Sequence, residues 1–183
     1  MAIQEIFERI KFWRTADRIG PDIPWTHWKL HFNSTMRAFC KKKFRHFDAT
    51  AELRPGSYFI CPSKISIGKG VIVRPGSFLA ANPKDGEHGI TIEDEVLLGP
   101  GVHMYTTDHE FKNPDVPICY QDYKPSKPIV VKRGAWIGAN VVILAGVTIG
   151  ENSVIGAGSV VSKDIQPRVV AAGSPARVVR SLS

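Results

Sequence analysis

His109 is a candidate for acid–base chemistry in this sequence. It lies in the segment Thr-Thr-Asp-His-Glu-Phe, at residues 106–111, with Asp108 and Glu110 as its immediate neighbours. An imidazole has an ordinary pKa of about 6.5, so near neutral pH it can take a proton from a hydroxyl group and return it to a leaving group. Either neighbouring carboxylate could orient the ring. What His109 does depends on the fold that carries this segment.

The net charge and the cysteine content restrict the class of binding partner and the cellular compartment. The 183 residues carry a net charge of +7, which favours an anionic partner such as a nucleic acid, an acidic membrane surface or a phosphate-bearing small molecule. Cys40, Cys61 and Cys119 are widely spaced, odd in number and outside any CxxC pattern, which argues against a disulfide framework and a zinc site. We therefore expect a cytoplasmic location, with the inner face of the membrane as a second location.

The N-terminal part of the sequence has the apolar spacing of helices. Between Ile3 and Phe47 the pattern predicts two helices, separated by the glycine and prolines of residues 20–24. It shows neither the continuous apolar segment of a signal peptide nor a membrane span. The second predicted helix, from Trp25 to Cys40, is followed by basic residues 41–43. Two interpretations stay open for it: a solvated face that packs on the body, or a surface that contacts anionic lipid.

From Leu53 onward the sequence repeats with a period of six residues. Each unit opens with an aliphatic residue and tends to carry a small or β-branched residue at its fifth position. An uninterrupted run opens at Val131, Ile137, Ile143, Ile149, Ile155 and Val161. Earlier units in the same pattern open at Ile67, Val73, Ile92, Leu98 and Met104. The unit at Leu53 is offset by two residues from the frame that begins at Ile67.

This period differs from the side-chain periods of an α-helix and a strand, which are about 3.6 and about 2. It is typical of a coil in which three units form one triangular turn of about 18 residues, each opening aliphatic points inward, and successive turns stack at roughly 4.8 Å. The sequence therefore predicts an all-β parallel β-helix over residues 53–183, preceded by an α-helical extension over residues 1–52.

The repeats and the segment Ala-Ala-Gly-Ser-Pro-Ala-Arg-Val-Val-Arg at residues 171–180 resemble the hexapeptide-repeat acyltransferase family, also called the bacterial transferase hexapeptide family. The similarity covers roughly residues 53–180. Within the family it is similar to the branch of galactoside, maltose and nodulation-factor O-acetyltransferases, although the helical extension looks more like that of capsule and exopolysaccharide acetyltransferases. The resemblance implies a left-handed β-helix that transfers an acetyl group from acetyl-CoA to a sugar hydroxyl, of a cell-surface polysaccharide or its precursor.

Two interruptions of the repeat, at residues 82–89 and about 108–128, predict loops that leave the rigid coil, where binding groups are expected. His109 begins the longer loop. The resemblance implies that His109 is the base that deprotonates the acceptor hydroxyl, which then attacks the thioester carbonyl. It also assigns Asn82 and Asp108 to the acceptor side.

The same resemblance implies a set of CoA contacts from small and basic residues. Small side chains let the pantetheine arm approach the backbone, and cations bind the phosphates. The residues are Trp136, Gly138, Ala139, Ala157, Ser162, Lys163, Arg177 and Arg180. A backbone N–H at Gly138 or Ala139 is the candidate oxyanion donor.

In this family the active site lies between subunits, so the resemblance implies a homotrimer. The long loop would then contact the neighbouring β-helix, with apolar anchors at Phe111, Ile118, Tyr120 and Tyr123.

Other classes of function stay open from the sequence. The same histidine can deprotonate an amine, so N-acetyl transfer to an amino sugar or an antibiotic is an alternative. Carbonic anhydrases of the γ class place three histidines on zinc in a similar coil, and His88, His103 and His109 are the candidates here, but their spacing differs, so we expect no metal. A non-catalytic scaffold is a third alternative. Nucleic-acid binding is not expected, because no reader motif is present.

Overall fold

The computed structural model describes residues 2–83 and 89–182. Three α-helices come first: α1 (Ala2–Thr15), α2 (Pro24–Leu30) and α3 (Asn33–Lys43). Two short 3₁₀ helices follow, at Pro62–Lys64 and Ile118–Tyr120. No helix among the described residues is long and apolar enough to span a membrane.

The strands form three sheets, and each sheet collects every third strand of the coil, except that the last two strands of the chain both lie in the same sheet. Sheet 1 contains β1 (Arg18–Ile19), β4 (Tyr58–Ile60), β7 (Phe78–Ala80), β10 (His103–Tyr105), β13 (Val142–Ile143) and β16 (Val160–Val161). Sheet 2 contains β2 (His46–Phe47), β5 (Ile65–Ile67), β8 (Ile90–Ile92), β11 (Ile129–Val131) and β14 (Thr148–Ile149). Sheet 3 contains β3 (Glu52–Leu53), β6 (Ile72–Val73), β9 (Leu97–Leu98), β12 (Trp136–Ile137), β15 (Val154–Ile155), β17 (Val169–Gly173) and β18 (Ala176–Ser181).

This topology is a parallel β-helix, as the repeat predicts. The chain passes through sheets 2, 3 and 1 in turn, and neighbouring strands within a sheet are parallel, apart from β1 on β4 and β18 on β17. Val131 pairs with Ile149 and Ile137 pairs with Ile155, so one turn spans eighteen residues. The coil of parallel sheets with helices at its N-terminal end confirms the predicted architecture.

The aliphatic residues that open the repeat units form the core. Those of the uninterrupted run have no exposed surface: Val131, Ile137, Ile143, Ile149, Ile155 and Val161. The small residues at the fifth position are also buried, and Ser153 and Ser159 satisfy their hydroxyl groups on the carbonyls of Gln166 and Gly156. Burial of the apolar row in every turn is the main stabilising contribution, since each turn covers the rows above and below it.

The two-residue offset at Leu53 has a local cause. Leu53 pairs with Val73, twenty residues later. The extra residues lie between β4 and β5, where Cys61 has a left-handed backbone (φ 51°) and Pro62–Lys64 forms the 3₁₀ helix.

The extension differs from the prediction of two helices. The predicted second helix is divided into α2 and α3, because Phe32 has an extended backbone (φ −116°, ψ 122°). The hydroxyl of Thr35 donates to the carbonyls of Lys29 and Phe32 at this break, at 2.8 and 3.0 Å. Strand β1, which was not predicted, pairs with β4 and ties the extension to sheet 1. The division of the chain into domains at residue 53 stays a prediction, and β2 of the coil already begins at His46.

The three cysteines are expected to differ in how fast they react with a thiol reagent. Cys40 has no exposed surface, and burial raises its pKa to about 12; burial also raises the pKa of Cys61. Cys119 is exposed. Because the thiolate is the reactive form, we expect Ellman's reagent at pH 8 to label one thiol per folded chain and three after denaturation. Cys119→Ser should abolish the fast reaction. Rapid labelling of Cys40 in the folded protein would contradict this burial.

Candidate active site

Both interruptions of the repeat leave the coil at the same edge. Residues 81–89 and 106–128 each connect a strand of sheet 1 to the next strand of sheet 2. The described residues of these two segments and the outer face of sheet 1 surround a cleft of about 970 Å³. Residues 84–88, including His88, lie outside the described residues. Asn82, Asp108, His109 and Ser162, four of the residues that the sequence singles out, line this cleft.

A short hairpin-like contact within the long loop positions His109. His109 forms an isolated antiparallel bridge with Tyr123. On either side, the N–H of Lys124 donates to the carbonyl of Asp108 at 2.9 Å and the N–H of Glu110 donates to that of Asp122 at 2.7 Å. The ring centroids of His109 and Tyr123 are 4.3 Å apart, with 35° between the planes. Tyr123 therefore packs on His109 of its own chain, and its predicted contact with a neighbouring subunit stays a prediction.

The carboxylates beside His109 fix the backbone rather than the imidazole. Asp108 accepts a hydrogen bond from the backbone N–H of His109 at 2.8 Å and lies 3.8 Å from the ammonium group of Lys124. Glu110 accepts from the N–H of Phe111 and lies 3.8 Å from Lys112. In the described part of the chain, the imidazole has no side-chain hydrogen-bond partner. Its ring nitrogens are therefore available to a substrate hydroxyl.

Asn82 connects the two loops at the base of the cleft. It is 4% exposed, and its backbone N–H donates to the hydroxyl of Thr106 at 3.1 Å. Its carbonyl accepts from Lys64 at 2.7 Å. Since Thr106 lies three residues before His109, this contact holds the beginning of the long loop against the shorter one.

Outward-facing residues of sheet 1 form the floor of the cleft. Ile60, Ala80 and Tyr105 are paired across β4, β7 and β10, and Leu144 and Ser162 follow β13 and β16. Four strand spacings of roughly 4.8 Å make this row about 19 Å long. The cleft is therefore elongated along the axis of the coil, and His109 lies beside its middle strand.

The residues assigned to the pantetheine arm lie at a different edge. Trp136 is on the outer face of sheet 3 and is 52% exposed. Gly138, Ala139 and Ala157 lie where sheet 3 turns into sheet 1. A Cβ at Gly138 would lie 2.6 Å from the backbone nitrogen of Ala157, so stacking of the turns alone requires glycine there.

The two candidate oxyanion donors differ in their availability. The N–H of Gly138 donates to the carbonyl of Ile155 at 2.8 Å, inside the coil. The N–H of Ala139 has no acceptor within residues 2–83 and 89–182. Ala139 is therefore the remaining candidate of this pair.

The basic residues assigned to the CoA phosphates are exposed. Lys163 follows Ser162 at the edge between sheets 1 and 2, whereas Arg177 and Arg180 lie on β18. Arg177 donates to the carbonyl of its neighbour Ala176 at 2.9 Å. Sheet 1 separates the His109 edge from the edge that carries Gly138 and Ala157, so a single chain does not bring the two sets together.

Sequence reasoning missed several residues of the cleft. Arg18, Phe78, Tyr105 and Lys127 also line it. Phe78 and Tyr105 are one residue before and one residue after inward-facing core positions, so the strand alternation could have shown that they face outward. Arg18 gave no such signal, because its place depends on the pairing of β1 with β4.

Two of the three histidines that were considered as zinc ligands, His103 and His109, have other contacts. A 2.9 Å hydrogen bond joins Nδ1 of His103 to the phenol oxygen of Tyr105, and His109 packs on Tyr123. Among the described residues, no three or more histidine, cysteine or acidic side chains come close enough together to hold a metal ion.

Comparisons with known proteins agree with the fold. Residues 128–163 match the bacterial transferase hexapeptide model of six repeats. The chain is 33% identical over 159 residues to nodulation protein L of Rhizobium meliloti, covering 82% of both chains. It is 38% identical over 147 residues to the galactoside O-acetyltransferase of Escherichia coli, covering 78% of this chain but 66% of that enzyme. A hexapeptide-repeat acetyltransferase of Vibrio cholerae, solved with acetyl coenzyme A, superposes with a TM-score of 0.73 at 30% identity, covering 86% of this chain and 83% of that one.

Proposed function

Because the chain belongs to the bacterial transferase hexapeptide family, we propose that it is an acetyltransferase that moves the acetyl group of acetyl-CoA to a hydroxyl group of a saccharide. The observation that carries the proposal is the place of His109 on the wall of the cleft, with an imidazole that has no hydrogen-bond partner in the described structure. Acetyl-CoA in the Vibrio cholerae structure and the sugar enzyme among the relatives support the donor and the acceptor.

The reaction requires one group that moves a proton and one that binds an oxyanion. His109 takes the proton of the acceptor hydroxyl as its oxygen bonds to the thioester carbonyl carbon. The carbonyl oxygen becomes negative and accepts a hydrogen bond from the N–H of Ala139. The C–S bond then breaks, and the imidazolium returns its proton to the CoA thiolate. The products are an acetyl ester and CoA.

Assembly of the site is part of the proposal. The coil is a left-handed β-helix in a homotrimer, and the His109 edge of one subunit faces the Trp136 and Ala139 edge of the next. The separation of these edges by sheet 1 within one chain supports this arrangement. Ser162, Lys163, Arg177 and Arg180 would bind the nucleotide end of CoA, whose phosphates need cations.

The extension supports a location at the inner face of the membrane in a cytoplasmic protein. Trp28 and Phe32 are 69% and 55% exposed, and their rings stack with centroids 6.2 Å apart. Exposed Lys29, Lys41 and Lys42 lie on the same two helices. Apolar rings beside cations suit an anionic lipid surface. The acceptor would then be a cell-surface polysaccharide or its precursor.

A thiol-release assay tests the proposed reaction. Cys119→Ser protein is incubated with acetyl-CoA and single saccharides, and free CoA is followed with Ellman's reagent. Release that depends on both the saccharide and the protein is expected. Release that is independent of every saccharide, or no release, would contradict the proposal.

Mixing two inactive variants tests whether the site is shared between subunits. His109→Ala and Trp136→Ala are expected to be impaired when each is expressed alone. Co-expressed in equal amounts, they should recover about a quarter of the wild-type rate, because random assembly joins an intact His109 edge to an intact Trp136 edge at about one site in four. A mixture no more active than its components would indicate that each chain carries a complete site. Light scattering after gel filtration should report three chains.

A further inference from the structure

A row of aromatic side chains crosses the outer face of sheet 1. Tyr58, Phe78 and His103 are direct neighbours on β4, β7 and β10. The ring centroids of Tyr58 and Phe78 are 4.8 Å apart, and those of Phe78 and His103 are 6.0 Å apart. Tyr105, two residues after His103 on the same face of β10, has its ring centroid 5.6 Å from that of Phe78. The face therefore offers a continuous aromatic surface.

Two members of this row reach the cleft that holds His109. Phe78 and Tyr105 line it, and both are half-buried. Tyr105 ends β10, four residues before His109, so the same strand carries the aromatic surface and leads to the proposed base. An acceptor whose hydroxyl meets His109 would have the rest of its ring beside Phe78 and Tyr105.

The phenol group of Tyr105 has a fixed partner on its own strand. Nδ1 of His103 and the phenol oxygen of Tyr105 are 2.9 Å apart. Burial raises the pKa of Tyr105, so the phenol is protonated at neutral pH. If the phenol donates to His103, its oxygen accepts a hydrogen bond from a ligand; if His103 donates, the phenol proton is available to the ligand. In either tautomer one hydrogen-bonding function of Tyr105 stays open.

Three of the four lysine and arginine side chains that line the cleft lie near carboxylates, and Lys127 is the one without an ion pair among the described residues. Lys124 lies 3.8 Å from Asp108, and Lys112 lies 3.8 Å from Glu110. Arg18 lies 3.2 Å from Asp22 and also donates to the phenol oxygen of Tyr58. At these three pairs a charged ligand would have to compete with the carboxylates and cations already present, whereas hydroxyl groups would not.

From these contacts we infer that Phe78 and Tyr105 form the platform on which an uncharged saccharide ring binds, and that Tyr105 is a specificity-determining residue whose phenol group is positioned by His103. The apolar C–H face of a sugar ring lies against the aromatic rings, and a ring hydroxyl bonds the phenol. This inference rests on the proposed acetyl transfer, because it concerns the acceptor of that reaction.

Removal of one oxygen atom tests the platform. Tyr105→Phe keeps the ring and deletes the hydroxyl, so kcat/KM for a neutral acceptor should fall about tenfold, while KM for acetyl-CoA stays unchanged. Tyr58→Phe is the matched control, since it removes a phenol group from the same row that bonds Arg18 and Asp22 and does not line the cleft. The control should change the acceptor kcat/KM less than twofold. Equal effects of the two variants would overturn the assignment.

A double-mutant cycle tests how His103 acts. His103→Ala should lower the acceptor kcat/KM several-fold in the wild-type background and cause no further loss in the Tyr105→Phe background. A residue that only supports the fold would give the same loss in both backgrounds, and that result would contradict the positioning role. Thermal unfolding of each variant reports any general loss of stability.

Saccharide binding without turnover separates this inference from the proposed reaction. Saturation-transfer NMR with methyl β-galactoside and methyl β-glucuronide, in the presence of CoA, reports binding directly. The neutral galactoside should bind the wild type, bind Tyr105→Phe more weakly, and bind at least as well as the glucuronide. Tighter binding of the glucuronide, or galactoside binding unaffected by Tyr105→Phe, would overturn the platform. Tyr105-dependent binding without thiol release would refute only the acetyl transfer.

Discussion

Replacing His109 with alanine should lower kcat by about 10²–10⁴-fold, which is the usual contribution of a positioned general base. The backbone bridge to Tyr123 places His109 on the wall of the cleft, and an imidazole is the side chain there that can exchange a proton near neutral pH. The loss should appear in kcat and in kcat/KM together, because proton transfer occurs only in the transition state. Thiol release at saturating acetyl-CoA measures both quantities.

His46→Ala is the matched control for this variant. His46 is also an exposed histidine of the coil, but it lies on β2 of sheet 2 and does not line the cleft. It should keep full activity. His109→Ala should also retain its circular dichroism spectrum and its affinity for CoA, since among the described residues the imidazole has a ring contact with Tyr123 alone. A His109→Ala enzyme with wild-type kcat would contradict the assigned base.

Val131→Ala should destabilise the coil by roughly 2 kcal/mol, whereas Val130→Ala should cost less than about 1 kcal/mol. The two valines are adjacent on β11, but Val131 has no exposed surface and Val130 faces outward between Thr91 and Thr148. Only the buried side chain leaves a cavity when it is shortened. Urea unfolding at one fixed protein concentration measures both, because subunit association would make stability depend on concentration.

The same pair of variants tests whether the aliphatic side chains that open the repeat units point into the core. If Val130→Ala were the more destabilising change, the aliphatic frame would point the other way, and every assignment of a residue to the outer face would be wrong. A one-residue slip moves an entire strand to the opposite face.

The repeat could be predicted because its physical requirement is local. An aliphatic residue every six positions satisfies a flat-sided coil and no other regular structure, and Ile137, Ile143 and Ile149 indeed have no exposed surface. The two loops were visible as interruptions of the frame for the same reason. The left-handedness of the coil and the trimer were predicted only from the family resemblance. Neither follows from a row of aliphatic side chains that faces inward.

The break between α2 and α3 was not predictable from apolar spacing. Trp28, Phe32 and Met36 recur at intervals of four, which suits one continuous helix. The available signal was Asn33, Ser34 and Thr35, whose side chains compete for backbone hydrogen bonds and favour helix ends. Thr35 does bond two carbonyls at the break.

The site was predictable in its residues but less so in its contacts. Asn82, Asp108 and His109 do share one cleft. The orientation of His109 by Tyr123 depends on a contact between the two arms of a long loop, fourteen residues apart, which no spacing rule gives. Gly138 illustrates the opposite case: its small size is required by the backbone of Ala157, so a stacking requirement had the appearance of a binding signal.

The most direct test of the central claim is the chemical identity of the product. The protein is incubated with trideuteroacetyl-CoA and a neutral saccharide, and the labelled product is isolated and treated with mild base. Acetyl transfer to a hydroxyl predicts a saccharide that carries one labelled acetyl ester, released by the base and absent from the His109→Ala reaction. A base-stable amide on an amino sugar, or a saccharide without label, would contradict it.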